Sequence, residues 1–399
     1  MATHRHLPGD LKQMQSLPLE AKIRMTKARI EAWYESWTHF EIYNKETEKT
    51  RFVTMDTRDQ FAEPELKDGE FIKSAQDGQV YLSFSGGKDS TVLKHIVDSM
   101  YDDVPSVFVN TGLEYPEIQR FVKDIRAGRY PCFNQNVEIL RPGMRFDEVL
   151  KSYGYPVVSK VVSKRVEEAK NAKRNGRVDA VCVQQIEGRY KTPEGNESPF
   201  NYKKWAFLMD APFSVSHKCC GVMKKKPARQ YEKGTGRKPI VGTMAHESKL
   251  RYTSWLKNGC NAFDSDSPKS QPMSFWTEQD ILHYLKKYNV PYCSVYGDIQ
   301  VKPTADVADG QINVIDYLGC YEPEDTLETT GCNRTGCIFC MFGCHLEKVP
   351  NRFQRLKETH PRQYEYCING GEMVDGKWQP NKKGLGLGKV LDYIGVKYD

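Results

Sequence analysis

The apolar positions near the amino terminus recur at helical spacing. Over residues 16–37 they are separated by four, seven, three and four positions, which places them on one face of a predicted helix. These apolar positions are Leu19, Ile23, Ile30, Trp33 and Trp37. Residues 38–76 are polar and mixed without a firm period, so we expect an insertion or small lobe there whose secondary structure the pattern does not assign.

From residue 77 onward, short apolar runs alternate with amphipathic segments. The runs that predict strands are VYLSF (80–84), VPSVFVN (104–110), VEIL (137–140) and PIVGTM (239–244). The segments that predict helices are TVLKHIVDSM (91–100), PEIQRFVKDI (116–125) and a run that starts with the capping-box-like T-E-Q-D at Thr277. Strands that alternate with helices predict an α/β fold with a doubly wound, mostly parallel sheet.

The pattern divides the chain into three expected parts. Residues 1–76 form a helical N-terminal segment with an insertion, 77–300 form the α/β domain, and 301–399 form a cysteine-rich C-terminal region. No run of 18 apolar residues occurs, and the start MATHRHLPGD has no apolar signal core. We therefore expect a cytoplasmic protein without a membrane span.

Charge narrows the range of partners only slightly. The chain has 58 basic and 52 acidic residues, a net charge of +6, which permits an anionic ligand or nucleic acid without requiring either. The densest basic run, residues 160–177, is a candidate surface for nucleic acid or an anionic substrate, although most such runs are a solvated helix face. The sequence shows no recognisable interface between copies of the chain, so it neither predicts nor excludes a homo-oligomer.

A glycine turn joins the first predicted strand of the α/β domain to its helix. It reads S-G-G-K-D-S over residues 85–90. Glycines let backbone amides approach an anion, and a helix N-terminus adds donors and partial positive charge. Lys88 can neutralise phosphate, Ser85 and Ser90 add hydroxyl donors, and Asp89 can hold Mg²⁺ or cap the helix. The turn predicts a phosphate site that is not a Walker loop, because G-x-x-x-x-G-K-[ST] does not occur.

Six cysteines form a second candidate site. They are the adjacent Cys219 and Cys220, and the C-x4-C-x2-C-x3-C series Cys332, Cys337, Cys340 and Cys344. Twelve cysteines in a chain without a secretion signal argue against disulfides and favour metal, redox chemistry or burial. Four thiolates suit an iron–sulfur cluster or zinc, and the spacing leaves open which four bind. The isolated cysteines, expected in the core or at the surface, are Cys132, Cys182, Cys260, Cys293, Cys320 and Cys367.

These motifs together resemble a known family. FSGGKDS is similar to the PP-loop of the ATP-pyrophosphatase superfamily, whose members split ATP between its α and β phosphates. Further blocks resemble those of phosphoadenylyl-sulfate and adenylyl-sulfate (PAPS/APS) reductases, in the family's order over roughly residues 75–345. These blocks are NTGLEYPE (110–117), HKCCGVMKKKP (217–227), VGTMAHESKLR (241–251), FWTEQDILHYL (275–285) and TGCIFC (335–340).

The resemblance implies an adenine nucleotide alpha-hydrolase-like fold and assigns roles to particular residues. The expected catalytic residues are Lys88, Asp89 and the substrate-binding Arg251. The expected nucleotide-binding residues are Ser83, Ser85, Gly86, Gly87, Lys88, Asp89, Ser90, Thr111 and Gly112. The ligands implied for a 4Fe–4S cluster are Cys219, Cys220, Cys337 and Cys340, with Cys332 and Cys344 as alternative ligands and zinc as the alternative metal.

Two departures from the reductases shape the predicted function. The PP-loop is intact, as in members that split ATP, whereas reductases usually have an altered loop. The reductases end in E-C-G-L-H, whose cysteine attacks the sulfonucleotide, but the tail here has no cysteine after Cys367. Within that tail, GLGLGKV (384–390) predicts a loop.

The leading prediction is an enzyme that uses ATP and Mg²⁺ to adenylate an acceptor, with sulfur then transferred from a thiol or sulfur donor. One alternative is a true sulfonucleotide reductase that uses another thiol, such as Cys344. The other is a nucleotide- and cluster-binding subunit of a defence or nucleic-acid-modification complex.

Overall fold

The computed structural model describes residues 6–59, 62–302 and 325–399. Its helices are α1 (Pro8–Gln15), α2 (Leu19–Glu35), α3 (Lys88–Asp98), α4 (Pro116–Arg126), α5 (Phe146–Tyr153), α6 (Lys160–Arg174), α7 (Val181–Glu187), α8 (Lys226–Thr235), α9 (Lys249–Asn258), α10 (Glu278–Lys287), α11 (Arg352–Thr359), α12 (Pro361–Ile368) and α13 (Leu387–Tyr393). Its strands are β1 (Trp37–Asn44), β2 (Lys49–Asp56), β3 (Glu70–Gln76), β4 (Val80–Ser83), β5 (Ser106–Val109), β6 (Val137–Leu140), β7 (Lys238–Val241), β8 (Asn261–Ala262), β9 (Lys269–Ser270), β10 (Ile299–Val301), β11 (Leu327–Thr329), β12 (Glu372–Val374) and β13 (Lys377–Gln379).

The chain divides into two compact units, each discontinuous in sequence. The first unit takes Met1–Val109, Tyr115–Leu140 and Arg229–Thr335, and the second takes Asn110–Glu114, Arg141–Ala228 and Gly336–Asp399. The three-part division expected from the sequence stays a prediction. None of the helices in the described ranges is long and apolar enough to cross a membrane.

A six-stranded sheet organises the first unit. Its order is β6-β5-β4-β7-β9-β8, every pair is parallel except the edge pair β8–β9, and helices flank it. The predicted α/β fold with a mostly parallel sheet is therefore confirmed. The chain builds β5 and β6 on one side of β4 and β7 on the other, so the turn after β4 lies at a topological switch point, where such sheets bind ligands.

The core of the first unit follows the predicted periodicity. Val80 and Leu82 of β4 are fully buried, as are Val92 and Ile96 on the inward face of α3. The predicted N-terminal helix is α2, with Trp33 fully buried, although it ends before Trp37.

Residues that the sequence left unassigned form a separate antiparallel sheet in the first unit. Its order is β2-β1-β3, and Trp37 is the first residue of β1. Burial along β1 alternates from Thr38 to Tyr43, whereas β2 is half-buried or exposed throughout and β3 is largely exposed. The buried positions of β1 include the polar Thr38 beside Phe40 and Ile42, and β2 and β3 bury no residue fully, so the sequence carries only a weak period-two signal.

The second unit is helical, with one hairpin, β12–β13. The Tyr155 and Phe213 rings meet edge-on at 5.7 Å, and the Tyr155 hydroxyl donates to the Leu385 carbonyl at 2.9 Å. The loop predicted for 384–390 is only partly correct. Gly386 has φ +67° and caps α13, whose Leu387 is fully buried, so this glycine-rich run begins a core helix.

Candidate functional site

The turn after β4 is tightly built. Gly86 has φ +71°, and a Cβ there would lie 2.8 Å from the side chain of Ile118, so only glycine fits. The Ser90 hydroxyl closes the turn, because it accepts the Ser85 N–H at 3.2 Å and donates to the Gly87 carbonyl at 3.0 Å. Both predicted hydroxyls therefore lie inside one turn, with their oxygens 2.9 Å apart.

Lys88 begins α3 with its side chain only 3% exposed. Its Nζ donates to the Asn333 carbonyl at 2.7 Å and lies 3.1 Å from a Glu278 carboxylate oxygen. Asp89 Oδ1 is 3.7 Å from the same nitrogen. A buried ammonium needs such partners to remain charged, so the fold fixes a positive group at the turn without any ligand.

Asp89 has one carboxylate oxygen that is buried at the turn. This oxygen, Oδ1, lies 3.7 Å from Lys88 Nζ but has no hydrogen-bond partner within the described residues. Burial raises the pKa of the Asp89 carboxyl, while the charges of Lys88 and Arg334 oppose that rise. A carboxylate oxygen without a hydrogen bond is a ligand of the kind that Mg²⁺ prefers, so Asp89 fits the predicted magnesium role, which stays a prediction.

Two arginines share one carboxylate near this turn. The Glu247 side chain is only 8% exposed, and it pairs with both Arg251 and Arg334. Burial lowers the pKa of the Arg251 guanidinium, as does the charge of Arg334, while Asp89 opposes the shift. The predicted Arg251 thus lies within electrostatic reach of Asp89, together with Arg334, which the sequence analysis missed. No pattern marks Arg334, because the surrounding CNRTGC stands out only for its cysteines.

Side chains from distant segments support the turn from outside. The Lys88 N–H donates to the Tyr296 hydroxyl at 3.1 Å, and that oxygen lies 2.7 Å from the Thr335 hydroxyl. A Cβ at Gly87 would lie 3.1 Å from the Thr335 hydroxyl and 3.2 Å from that of Tyr296. The sequence analysis missed both residues, because lone aromatic and threonine side chains carry no motif.

The other predicted nucleotide-binding residues lie outside the turn itself. Ser83 is the last residue of β4 in the first unit. Thr111 and Gly112 belong to the second unit, where the Thr111 N–H and hydroxyl donate to Glu114 at 3.0 and 2.8 Å. The Gly112 N–H donates to the Asn110 side chain at 3.0 Å. Thr111 therefore orders its own loop.

Four cysteines from two distant segments of the second unit influence one another's pKa. Cys219 and Cys220 directly precede a π-helical turn, Gly221–Lys225, and their thiols share a hydrogen bond. That hydrogen bond and then burial raise the pKa of Cys219, with further contributions from Cys337 and Cys340. Burial raises the pKa of Cys337 to about 11. The four cysteines that the family resemblance implied are thus within electrostatic reach of one another, and their role as ligands stays a prediction.

Lysines lie beside this thiol group. The hydrogen bond from Cys219 lowers the pKa of the Cys220 thiol. Burial opposes that shift, and the charges of Lys160 and Lys224 add to it. The described residues contain no three His, Cys, Asp or Glu side chains already arranged around a metal. By donor chemistry, four soft thiols with nearby cations fit a 4Fe–4S cluster and also zinc. Metal binding by these four residues stays a prediction.

The two alternative ligands are placed differently. Cys344 lies beside Cys340, but it is only 1% exposed and its thiol donates to the Met341 carbonyl at 3.0 Å. Cys332 belongs to the first unit, where it contributes, after burial, to raising the pKa of Cys293. Cys320 lies outside the described residues. The other isolated cysteines are, as expected, in the core or at the surface: Cys260, Cys293 and Cys367 are buried, Cys182 is half-buried and Cys132 is exposed.

The basic run 160–177 falls largely on α6, and several of its cations are paired. Lys164 and Arg165 lie 3.7 and 2.7 Å from Glu168, and Lys173 lies 2.8 Å from Glu187. These pairs reduce the positive potential that the run would offer to a phosphate backbone. A nucleic-acid role for the run stays a prediction.

A cavity of about 550 Å³ opens in the second unit. Its walls are the loop 110–113, the segment 141–147, and the rings of Phe339 and Tyr366. Phe339 belongs to the C-x-x-C segment, and the N–H of its neighbour Ile338 donates to the Leu113 carbonyl at 2.8 Å. One residue of the cavity wall, Phe339, therefore lies between Cys337 and Cys340 in the sequence.

Curated relatives and solved structures offer limited similarity. Two Methanocaldococcus jannaschii proteins, both described as uncharacterized, are 39% identical over 77 residues (19% of this chain) and 35% identical over 91 residues (22% of this chain). The chain spans only 18% of the length of each relative. A crystal structure of phosphoadenylyl-sulfate (PAPS) reductase from Candida auris, in a phosphate complex, matches with 15% identity and a TM-score of 0.31, covering 54% of this chain and 75% of that one.

A family profile gives the broader match. The phosphoadenosine phosphosulfate reductase domain matches residues 79–183 and 177–341, which include the six-stranded sheet, the phosphate turn and the C-x-x-C segment. This match covers well over half of the 399 residues. The chain therefore belongs to the phosphoadenosine phosphosulfate reductase domain family.

Proposed function

We propose that this chain binds ATP with Mg²⁺, cleaves it between the α and β phosphates, and adenylates an acceptor for sulfur transfer. The phosphate turn is the observation that carries the proposal. Its sequence is intact, Lys88 is buried and held in place, and Asp89 has a buried carboxylate oxygen that accepts no hydrogen bond. Glu247 holds two arginines within electrostatic reach of Asp89.

The cationic side chains near the turn would stabilise the negative charge that develops during cleavage. Negative charge develops on pyrophosphate as it leaves, and Lys88, Arg251 and Arg334 would bind its oxygens. Groups that are already held in place do not have to reorganise during the reaction, which is the main source of their catalytic effect. Asp89 would hold Mg²⁺, which neutralises phosphate charge.

The proposed reaction has two steps. An acceptor hydroxyl attacks the α-phosphorus, its proton passes to solvent, and the bond to the bridging β-phosphate oxygen breaks, releasing pyrophosphate. Hydrosulfide from a sulfur donor then displaces AMP, so the acceptor carbon gains a thiol as its bond to oxygen breaks. A 4Fe–4S cluster held by Cys219, Cys220, Cys337 and Cys340 would have one thiolate on each of its four irons, so its contribution would be structural and electrostatic, and the hydrosulfide would come from the sulfur donor.

Product analysis tests this assignment before the acceptor is known. The protein, purified without oxygen, is incubated with Mg²⁺ and ATP, and water serves as a slow substitute acceptor. We expect AMP and pyrophosphate, since the β-phosphate leaves together with the γ-phosphate. Formation of ADP and inorganic phosphate instead would contradict cleavage at the α/β position.

Sulfonucleotide reduction is the second candidate, and the family match favours it. It predicts sulfite release from adenylyl sulfate or phosphoadenylyl sulfate with a thiol reductant. Cys344, the candidate nucleophile, is only 1% exposed, so it would have to be uncovered before it could attack. Loss of sulfite release in Cys344→Ser, with the metal retained, would support this candidate, whereas unchanged release would exclude that cysteine.

A further inference from the structure

The residues that lead into the Cys219–Cys220 pair have little secondary structure of their own. Residues 211–218 form no helix, and their only β-structure is isolated bridges at Phe213 and Val215. A segment without its own ladder of hydrogen bonds keeps its position through contacts with neighbouring elements. Those contacts therefore determine where the two thiols lie.

A short stretch before α6 is tied by its backbone to both cysteine segments of the second unit. Tyr155 exchanges two hydrogen bonds with the residues on either side of Val215, at 2.8 and 3.1 Å. The Val158 carbonyl accepts the N–H of Gly343, three residues after Cys340, at 2.8 Å. The helix α6 begins two residues after Val158, so it starts from a stretch that contacts both cysteine segments.

The backbone of Val158 shows how firmly this stretch is held. Its φ of +60° lies in the left-handed region, which a β-branched residue rarely adopts, and its side chain is buried. Such a conformation persists only where the surrounding contacts dictate it. The stretch is therefore a fixed frame for the helix that follows it.

Glu167, on α6, contacts the three residues that directly precede the cysteine pair. Its carboxylate accepts the Ser216 hydroxyl at 3.2 Å, and it lies 3.1 Å from His217 Nδ1 and 2.6 Å from Lys218 Nζ. The Glu167 side chain is only 17% exposed. Three contacts converging on one largely buried carboxylate restrain a segment more strongly than an isolated surface ion pair, which water screens.

The same helix also reaches the cysteine pair itself. The Lys160 side chain forms a hydrogen bond with the Cys220 thiol. Glu167 follows Lys160 by about two helical turns, so the two side chains project from the same face of α6. This face of α6 thus contacts both the cysteine pair and the residues before it.

We propose that Glu167 is a positioning residue that holds the Cys219–Cys220 segment in the conformation in which its thiols bind metal. Because the segment is ordered before the metal arrives, binding does not have to order it. The proposal rests on the predicted cysteine ligands of the proposed function, but not on ATP cleavage, which is assigned to the phosphate turn. Residues that orient metal ligands from outside the ligand set typically change metal affinity about 10- to 100-fold when they are removed.

Cobalt(II) binding tests the proposal, because the thiolate-to-cobalt absorption band reports both affinity and the number of bound thiolates. The full-length chain is freed of metal, reduced, and titrated with Co²⁺ without oxygen. We expect Glu167→Ala to raise the dissociation constant about 10- to 100-fold and to weaken the thiolate band per bound ion. Glu167→Gln keeps an acceptor oxygen but loses the ion pair with Lys218, so its dissociation constant should lie between those of Glu167→Ala and the unmodified chain.

The neighbouring residue on α6 provides the matched control. Glu168 pairs with Lys164 and Arg165 on its own helix, so Glu168→Gln should leave the dissociation constant unchanged. Thermal unfolding of the metal-free proteins shows whether each variant is folded. If Glu167→Ala does not fold, Ser216→Ala replaces it, since this variant loses only one of the three contacts and should raise the constant about fivefold.

The outcomes distinguish this proposal from the proposed function. Unchanged cobalt affinity in the folded variant, an equal loss in Glu168→Gln, or no thiolate band in the unmodified chain would overturn the role of Glu167. A lowered unfolding temperature with unchanged cobalt binding would likewise overturn it and assign a structural role. Release of AMP and pyrophosphate from ATP should be the same in all these proteins, and its absence from all of them would overturn the proposed ATP cleavage alone.

Discussion

The phosphate turn of the first unit and the thiol group of the second satisfy their polar groups in different ways. At the turn, the protein itself supplies most partners: Lys88 has a carbonyl and two carboxylates, and Glu247 has two arginines. In the thiol group, burial raises the pKa of Cys337 and Cys340, and the neighbours include other thiols. The charged groups of the first site already have partners within the protein, whereas the thiols of the second are predicted to be completed by a metal.

This difference predicts different responses to substitution. Removing a charge at the turn leaves other buried charges without a partner, and we expect catalysis to suffer while the rest of the fold persists. Removing the Cys337 thiol leaves the hydrogen bond between Cys219 and Cys220 in place, so its main effect should be on metal content.

The largest expected effect is that of Lys88→Ala on nucleotide turnover. Loss of one positioned group that stabilises developing charge costs about 100- to 1000-fold in rate. Steady-state release of pyrophosphate measures it, with metal content unchanged. Lys123→Ala, at an exposed position of α4, is the matched control and should retain full activity. Normal turnover in Lys88→Ala would remove the turn from the mechanism.

The thiol group predicts a contrast between two serine variants. Cys337→Ser should lose most of the bound metal, because a hydroxyl is a poor substitute for a thiolate ligand. Cys344→Ser should keep its metal, because the Cys344 thiol already donates to the Met341 carbonyl. Metal content is measured as iron, zinc and acid-labile sulfide on protein purified without oxygen. The same measurement shows whether the bound group is an iron–sulfur cluster or zinc. Equal metal content in the two variants would contradict the proposed ligand set.

Glu247→Gln tests whether the two arginines act as a pair on the anionic end of the ligand. The amide can still accept the Met244 N–H, which Glu247 accepts at 3.0 Å, but it loses both ion pairs. We expect about a tenfold weaker affinity for ATP, equivalent to roughly 1.4 kcal/mol, and unchanged affinity for adenosine. The exposed Glu63→Gln is the control. Equal weakening for ATP and adenosine would indicate a structural role instead.

The smallest expected effect concerns the helix that carries the turn. Burial, and to a lesser extent Lys27, lower the pKa of His95 on α3, whose Nδ1 lies 2.9 Å from the Tyr284 hydroxyl. Because the pKa of His95 is lower in the folded state, the unfolded state binds a proton more readily as the pH falls. The free energy of unfolding should therefore decrease as the pH drops below about 6.5. Urea unfolding at pH 7.5 and 5.5 measures the loss, which should shrink in His95→Gln. An equal loss in that variant would assign it to other groups.

The phosphate turn could be predicted from sequence because its main parts are contiguous. A strand, two glycines, a lysine and a helix follow one another within residues 80–98, and local geometry constrains each of them. The supporting residues could not be predicted, because Tyr296, Arg334 and Thr335 reach the turn only through the fold of the first unit.

The thiol group shows the same limit. Spacing alone left six cysteines as candidates, and the fold places Cys332 in the other unit. The helix α13 was missed because its glycines suggested a loop, although Leu387, Val390 and Leu391 are fully buried. Burial depends on what packs against a segment, which a short sequence window does not contain.

Comparative binding tests the central claim most directly. ATP, adenylyl sulfate and phosphoadenylyl sulfate are titrated in one buffer into protein purified without oxygen, and their dissociation constants are compared. The intact turn, with Lys88, Asp89 and two arginines, predicts that ATP with Mg²⁺ binds most tightly. Tighter binding of either sulfonucleotide than of ATP would contradict the proposed adenylating reaction and favour reduction.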